Sequence, residues 1–253
     1  MSAIWIALAV GLLTFGAGML GLYLQKRLPQ QHMTGGSRDM ILAVIGLVTL
    51  LLALVLGTLV GNTYAFFATQ KSELETFASR ALLFDQALSE YGPESKPIRD
   101  VLKRGLTESY QLFWKGADAD PKLLRVEVPM TRFKPMFEML KTLEPTTNAQ
   151  KESVAGAKAN LALMEQTRLL MSLQLASPIA WSLVLIVVAW AAFLFCGFGV
   201  LSGTNPTTIG VLVLGALSVA SAMYLILDLS QPYTGNFRVS PAALEQTLEA
   251  LGK

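Results

Sequence analysis

The sequence predicts an all-α membrane protein with four transmembrane helices in two hairpins and a helical domain inserted between the second and third spans. Of the 253 residues, 53% are hydrophobic and only 15% are charged, which is too apolar for a domain that must cover itself with charge in water. Four stretches also supply the roughly 20 apolar residues that a helix needs to cross a membrane. They are residues 3–24, 41–67, 179–201 and 208–227.

The first span is predicted to be retained in the membrane. It lacks a basic region before it, is longer than the apolar core of a signal peptide and ends at Lys26 and Arg27 instead of a small-residue cleavage site.

In the fourth span, Asp228 comes at the very end. We interpret it as a boundary residue that reaches the headgroup region.

Short connections join the spans into two hairpins. Residues 25–40 and 202–207 contain Pro29 and Pro206 beside glycines, as expected of tight links between antiparallel helices. The inserted domain and both termini then share the other side of the membrane. Because the first loop carries three basic residues (Lys26, Arg27 and Arg38), the positive-inside rule places that loop in the cytoplasm and the domain outside it.

The inserted domain is predicted to be helical and to begin as an extension of the second span. No Gly or Pro occurs in residues 62–91, so one helix continues from the membrane into water. Two apolar stripes with three- and four-residue spacing mark the extensions of the second and third spans, and we expect them to pack together. They are Leu74, Phe77, Ala81, Phe84, Leu88 and Tyr91, and Val154, Ala157, Leu161, Met164, Arg168, Met171 and Leu175.

Two shorter amphipathic helices are predicted between these extensions, with Pro93 and Pro129 at their boundaries. The predicted organisation is a first hairpin at 1–67, the helical domain at 68–178, a second hairpin at 179–229 and a tail with a short amphipathic helix at 230–253. The apolar positions of the two shorter helices are Ile98, Val101, Leu102, Leu106, Leu112 and Phe113, and Phe133, Met136, Phe137 and Leu140.

Several classes of function are not expected from this composition. The domain has no His, no Cys, no phosphate-binding glycine loop and no metal-ligand spacing, so we predict neither an enzyme nor a bound cofactor. The single cysteine, Cys196, lies in an apolar run and is interpreted as a small buried hydrophobe. Basic residues interleaved with aromatics are missing, so nucleic acid is not a predicted partner.

Two features of the second span bear on function. Ala53, Gly57 and Gly61 repeat every four residues and predict a helix-packing face, because small residues let backbones approach closely. A neighbouring stripe, also with four-residue spacing, would line an axis if several copies surrounded it. That stripe comprises Leu50, Leu54, Thr58 and Asn62. The alternative interpretation makes Leu50 and Leu54 contacts to lipid or to the protein core.

Several short motifs resemble those of the bacterial bestrophin-like membrane proteins, a family of uncharacterised function. Arg27-Leu28-Pro29 with His32 follows the first span, and Leu54-Val55-Leu56-Gly57 lies in the second. The most specific match is Leu227-Asp228-Leu229-Ser230-Gln231-Pro232-Tyr233-Thr234-Gly235, followed by Val239-Ser240-Pro241. Together these motifs extend over nearly the whole chain.

The resemblance implies a distant similarity to bestrophins, which are pentameric ion channels whose second span lines the pore. It places the constriction at Leu50, Leu54 and Thr58, although bestrophins have an aromatic residue where this chain has Thr58. It does not imply calcium gating, because the tail offers only Glu245 and Glu249 in place of the acidic cluster of animal bestrophins. It also places the domain in the cytosol, opposite to the side that the loop charges indicate.

Two functions from different classes follow. The first is a homo-oligomeric channel in the bacterial plasma membrane that passes small inorganic ions through a pore lined by the second span, a pentamer by resemblance. The second is a non-conducting scaffold or signalling subunit whose domain binds a partner through methionines, with Met136 and Met139 expected to be exposed. The methionines of this surface are Met130, Met136, Met139, Met164 and Met171.

Overall fold

The computed structural model describes residues 3–29, 35–115, 133–176 and 179–251. Four of the helices in these ranges are long and apolar enough to cross a membrane: α1, α2, α6 and α7, as numbered here. The predicted all-α fold with four spans is therefore confirmed. The α-helices are α1 (Ala3–Arg27), α2 (Gly36–Tyr91), α3 (Lys96–Tyr110), α4 (Lys134–Lys141), α5 (Asn148–Leu175), α6 (Trp181–Leu201), α7 (Pro206–Leu229) and α8 (Ala242–Ala250).

The chain divides into two compact units. The first comprises Met1–Ala65 and Ile179–Ser230, and the second comprises Phe66–Pro178 and Gln231–Lys253. Helix α2 contributes its first half to the first unit and its second half to the second. The segment after α7 belongs to the same unit as helices α3, α4 and α5.

In the first unit, α1 packs closely against α6 and α7. A Cβ atom added at Gly21 would overlap the Cys196 carbonyl oxygen and would lie 2.9 Å from the Gly199 Cα. Only glycine permits this approach of two backbones, as is common where helices pack in membranes. The buried apolar core of this unit comprises Ala3, Val10, Leu59, Val184, Val187, Met223, Ile226 and Leu227.

Helix α2 runs for 56 residues without a break, from the second span to the end of its predicted extension. It ends where Gly92 adopts a φ of 127°, a conformation that favours glycine. Pro93 then begins a 3-10 turn, Pro93–Ser95. The Ser95 hydroxyl donates to the Leu88 carbonyl oxygen at 2.5 Å and so satisfies one of the last acceptors of the helix.

Both predicted apolar stripes line the core of the second unit. The stripe on α2 meets the stripe on α5, and six of their residues are completely buried: Ala81, Phe84, Leu88, Ala157, Leu161 and Met164. A capping box starts α5, in which the Thr147 hydroxyl accepts a hydrogen bond from the backbone N–H of Gln150 at 3.1 Å.

Helix α3 carries the predicted buried residues Ile98, Leu102 and Leu106, but its C-terminal end differs from the prediction. A π-helical turn, Gln111–Lys115, follows α3 directly. Such a turn is wider than an α-helical turn and changes the direction of the side chains after it. Phe113 is therefore buried, whereas Leu112 is 39% exposed, so the prediction that Leu112 lies on the buried face is wrong.

The methionines assigned to a partner-binding surface are mostly core residues. Met136, Met164 and Met171 are buried, and Met139 packs half-buried against the core. The expectation of an exposed Met136 is wrong, because it lies on the side of α4 that faces the helical core. Met130 lies outside the described residues.

Candidate functional site

The four residues predicted to line a pore lie on an exposed face of α2. Leu50 and Leu54 are 71% and 65% exposed within the single chain, and Thr58 and Asn62 are exposed as well. Residues four positions apart on an α-helix share a face, so these side chains form one continuous stripe. The opposite face carries Ile45, Leu59 and Thr63, which are buried in the first unit.

The hydroxyl groups along this span are bonded within their own helix. Thr58 Oγ1 donates to the Val55 carbonyl oxygen at 2.8 Å, and Thr49 and Thr63 make the corresponding bonds to Ile45 and Leu59 at 2.7 Å. Because the hydroxyl proton is used in this bond, the Thr58 side chain presents only the lone pairs of its oxygen and its methyl group to the surroundings.

The small residues Ala53, Gly57 and Gly61 are exposed beside the stripe. A Cβ atom added at Gly57 or Gly61 would meet no other atom within 4 Å, so the single chain places no neighbour on this face. Gly18, Gly21 and Gly199 are among the glycines that do support close packing within the chain. Sequence reasoning missed them because their helices meet only in the folded chain.

Two further predictions concern titratable and metal-binding groups. Asp228, interpreted as a boundary residue, is only 3% exposed. It lies in the last turn of α7, and its interpretation as a boundary residue at the headgroup region stays a prediction. Within the described part of the chain no cluster of three or more His, Cys, Asp or Glu residues could hold a metal ion. His32 of the first motif lies outside that part.

A chain of hydrogen-bonded polar side chains crosses the second unit, in which Gln70 and Tyr233 are buried and Glu73 and Gln174 are half-buried. The Tyr233 hydroxyl donates to Gln70 Oε1 at 3.3 Å, and Gln70 Nε2 donates to Gln174 Oε1 at 2.6 Å. Gln174 Nε2 then donates to Glu73 Oε1 at 2.8 Å. We call these four residues the polar relay. It joins α2 to α5 and to the segment after α7, and sequence reasoning did not find it because isolated glutamines give no periodic signal.

Aromatic rings surround the tail end of the polar relay. Tyr233 lies 6.1 Å from both Phe113 and Trp114, measured between ring centroids, and Trp114 Nε1 donates to the Val239 carbonyl oxygen at 2.9 Å. The π-helical turn thus places two aromatic residues against the motif that follows α7. Burial raises the pKa of the Tyr233 hydroxyl above its usual value, with the Arg168 charge opposing this shift and the Glu73 charge adding to it.

Known proteins were compared with both the sequence and the fold. The family model of the bestrophin-like domain matches residues 12–244, whereas no curated protein matches the sequence. The fold is similar to the crystal structure of a bacterial bestrophin homolog from Klebsiella pneumoniae that carries a point mutation. That match has a TM-score of 0.56 and 14% sequence identity, and it covers 96% of this chain and 97% of the homolog.

The family match extends over most of the chain and includes α2 and the motif after α7. The structural match, at its low identity, shows the same fold. Both agree with the resemblance carried by the sequence motifs, which is therefore confirmed. The chain belongs to the bestrophin-like domain family of membrane proteins.

Proposed function

We propose that copies of this chain assemble in a bacterial plasma membrane into an ion channel whose pore is lined by α2. One observation carries the proposal. Within the single chain, only 6% of an 18-residue apolar stretch of α2 is buried, against 22–33% of the corresponding stretches of the other three spans. The least covered span is thus the one that holds the predicted pore residues. The similarity to bestrophins, which are ion channels, supports conduction as the purpose of such an assembly.

The proposed pore wall has an apolar part followed by a polar part. Leu50 and Leu54 of each copy form rings that exclude water when the pore is narrow, and an apolar constriction of this kind can gate by dewetting. Thr58 completes the constriction, and Asn62 lines the pore one turn further along. The permeating species are small inorganic ions, for which Thr58 and Asn62 supply hydrogen-bonding groups.

The packing face beside the stripe explains how neighbouring copies of α2 would approach. Ala53, Gly57 and Gly61 leave no side chain beyond a methyl group on this face. Small residues at four-residue spacing allow helix backbones in membranes to come close and to gain van der Waals contacts. We therefore place the contact between adjacent α2 helices at these three residues, with the pore stripe next to it.

Flux through liposomes tests this proposal. Purified protein is reconstituted, and the movement of chloride, potassium and sodium is measured for the unchanged chain and for Leu54→Ser. We expect Leu54→Ser to raise the flux severalfold, because a hydroxyl at the constriction lowers the cost of wetting it. The matched control is Leu185→Ser on α6, which is as exposed as Leu54 at 68% but lies outside the proposed pore and should leave the flux unchanged.

Two results would contradict the proposal. One is the absence of flux for all three ions across a range of lipids and pH values, with Leu54→Ser equally silent. The other is a monomer in mild detergent when the mass of the complex is measured by light scattering. The same measurement counts the subunits and so tests whether this chain forms a pentamer.

A further inference from the structure

We propose that Gln70, Gln174 and Tyr233 are positioning residues for the pore, because they hold α2 in the orientation that presents Leu54 and Thr58 to the axis. The inference rests on the proposed channel function and deepens it. It assigns a role to the polar relay, which contacts neither the pore stripe nor the packing face of α2.

The hydrogen bonds of the polar relay all run in one direction. Each glutamine accepts from the Tyr233 side through its Oε1 and donates toward Glu73 through its Nε2. Turning either amide around would place two NH₂ groups or two oxygens against each other. The Tyr233 hydroxyl, a donor here, and the Glu73 carboxylate, an acceptor, therefore fix one arrangement for both amides, and hydrogen bonds in such chains strengthen one another.

Burial makes this arrangement rigid. Gln70 is completely buried and Tyr233 is 4% exposed, so water cannot replace a hydrogen bond that either of them loses. Tyr233 also packs in a small apolar core with Leu74 of α2 and Met171 of α5. A rotation of α2 at this level would break the polar relay and would pull Gln70 away from both of its partners.

The constraint at Gln70 acts on the pore through the helix itself. Gln70 follows Thr58 by 12 residues in the unbroken helix α2, a distance of about 18 Å along the axis. No proline interrupts the helix between these residues, so a rotation at one level is carried to the other.

The test compares two tyrosines that each donate one hydrogen bond in the second unit. Tyr233→Phe removes the bond to Gln70 and keeps the ring among its aromatic neighbours. Tyr110→Phe is the matched control, since the Tyr110 hydroxyl donates to Glu245 of α8 and its ring stacks on Trp114, without a bond to α2. Ion flux through liposomes and hydrogen exchange of the amides in residues 66–74 are measured for both variants.

We expect Tyr233→Phe to lower the flux at least threefold and to accelerate exchange in residues 66–74, while Tyr110→Phe changes neither. A loss of thermal stability shared by both variants would leave this difference intact. Unchanged or higher flux in Tyr233→Phe overturns the inference. If the unchanged protein passes no ion, the channel proposal fails separately, and equal exchange in the two variants then overturns the claim that the relay holds α2.

Discussion

At the scale of single residues, one ion pair fastens the turn between α2 and α3. Arg99 donates from Nε to Asp85 Oδ1 at 2.7 Å and from Nη2 to Asp85 Oδ2 at 2.8 Å. The Asp85 side chain is 10% exposed and that of Arg99 is 22% exposed. The hydrogen bond to Asp85 is the main reason why the pKa of Arg99 is raised, and the pair joins α2 to α3 across the turn at Gly92.

Replacing Arg99 by methionine should destabilise the second unit by about 3 kcal/mol, because the Asp85 carboxylate would remain buried without its partner. Thermal unfolding in mild detergent, followed by circular dichroism, measures the effect. Lys96→Met is the control, since the pair between Lys96 and Asp100 is largely exposed and such pairs contribute at most about 1 kcal/mol. An equal fall of the thermal midpoint in the two variants would show that the buried pair stabilises the unit no more than the exposed pair does.

Residue-scale prediction from the sequence succeeded where periodicity carries the information. The exposed stripe of α2 and the buried stripes of α2 and α5 follow from three- and four-residue spacing alone. Neither the Asp85–Arg99 pair nor the polar relay has a periodic signature. Gln70 and Gln174 are separated by 104 positions, and only the folded chain brings their amides together.

At the scale of helices, the extension of α2 was predictable because no Gly or Pro occurs between Gly61 and Gly92. The close crossing of α1 and α6 was not predictable from the sequence. Gly18 and Gly21 of α1 look like ordinary small residues of an apolar span, and their partner Gly199 lies far along the chain. A lone glycine in a span indicates close packing only when the opposing helix is known.

This crossing leads to a prediction about α1. Gly21→Ala should destabilise the first unit by about 1–3 kcal/mol, since its methyl group would overlap the backbone of α6 and force the helices apart. Gly16→Ala on the same helix serves as the control, because a Cβ there meets no atom within 4 Å. The thermal midpoint in mild detergent should fall for Gly21→Ala and stay level or rise slightly for Gly16→Ala. A fall of the same size in both would contradict the crossing.

At the scale of the whole molecule, the segment after α7 is a structural part of the helical unit. Leu244 and Leu251 are buried in the same core as Phe84 and Leu161, and Lys103 Nζ donates to the Leu251 carbonyl oxygen at 3.0 Å. The sequence predicted the short helix at this end of the chain. It could not show where that helix packs, because two apolar residues in a short segment fit many surfaces.

The assembly proposed for the channel is the feature that depends most on contacts outside one chain. Gly57 of α2 and Gly210 of α7 are both exposed, and a Cβ at either position meets nothing within 4 Å. Leucine should therefore fit at both positions in a single chain. If Gly57 lies between adjacent copies, Gly57→Leu separates the helices and removes contacts that require close backbones.

We therefore expect Gly57→Leu to weaken association at least tenfold, about 1.4 kcal/mol for each contact between subunits, while Gly210→Leu keeps the oligomer intact. Light scattering in mild detergent over a dilution series measures the mass of the complex for both variants. Circular dichroism should show the same helix content in each, since a Cβ at either position meets nothing within 4 Å. An oligomer that survives Gly57→Leu as well as Gly210→Leu would place the contact between subunits on another face of α2, and the pore stripe beside it would have to be reassigned.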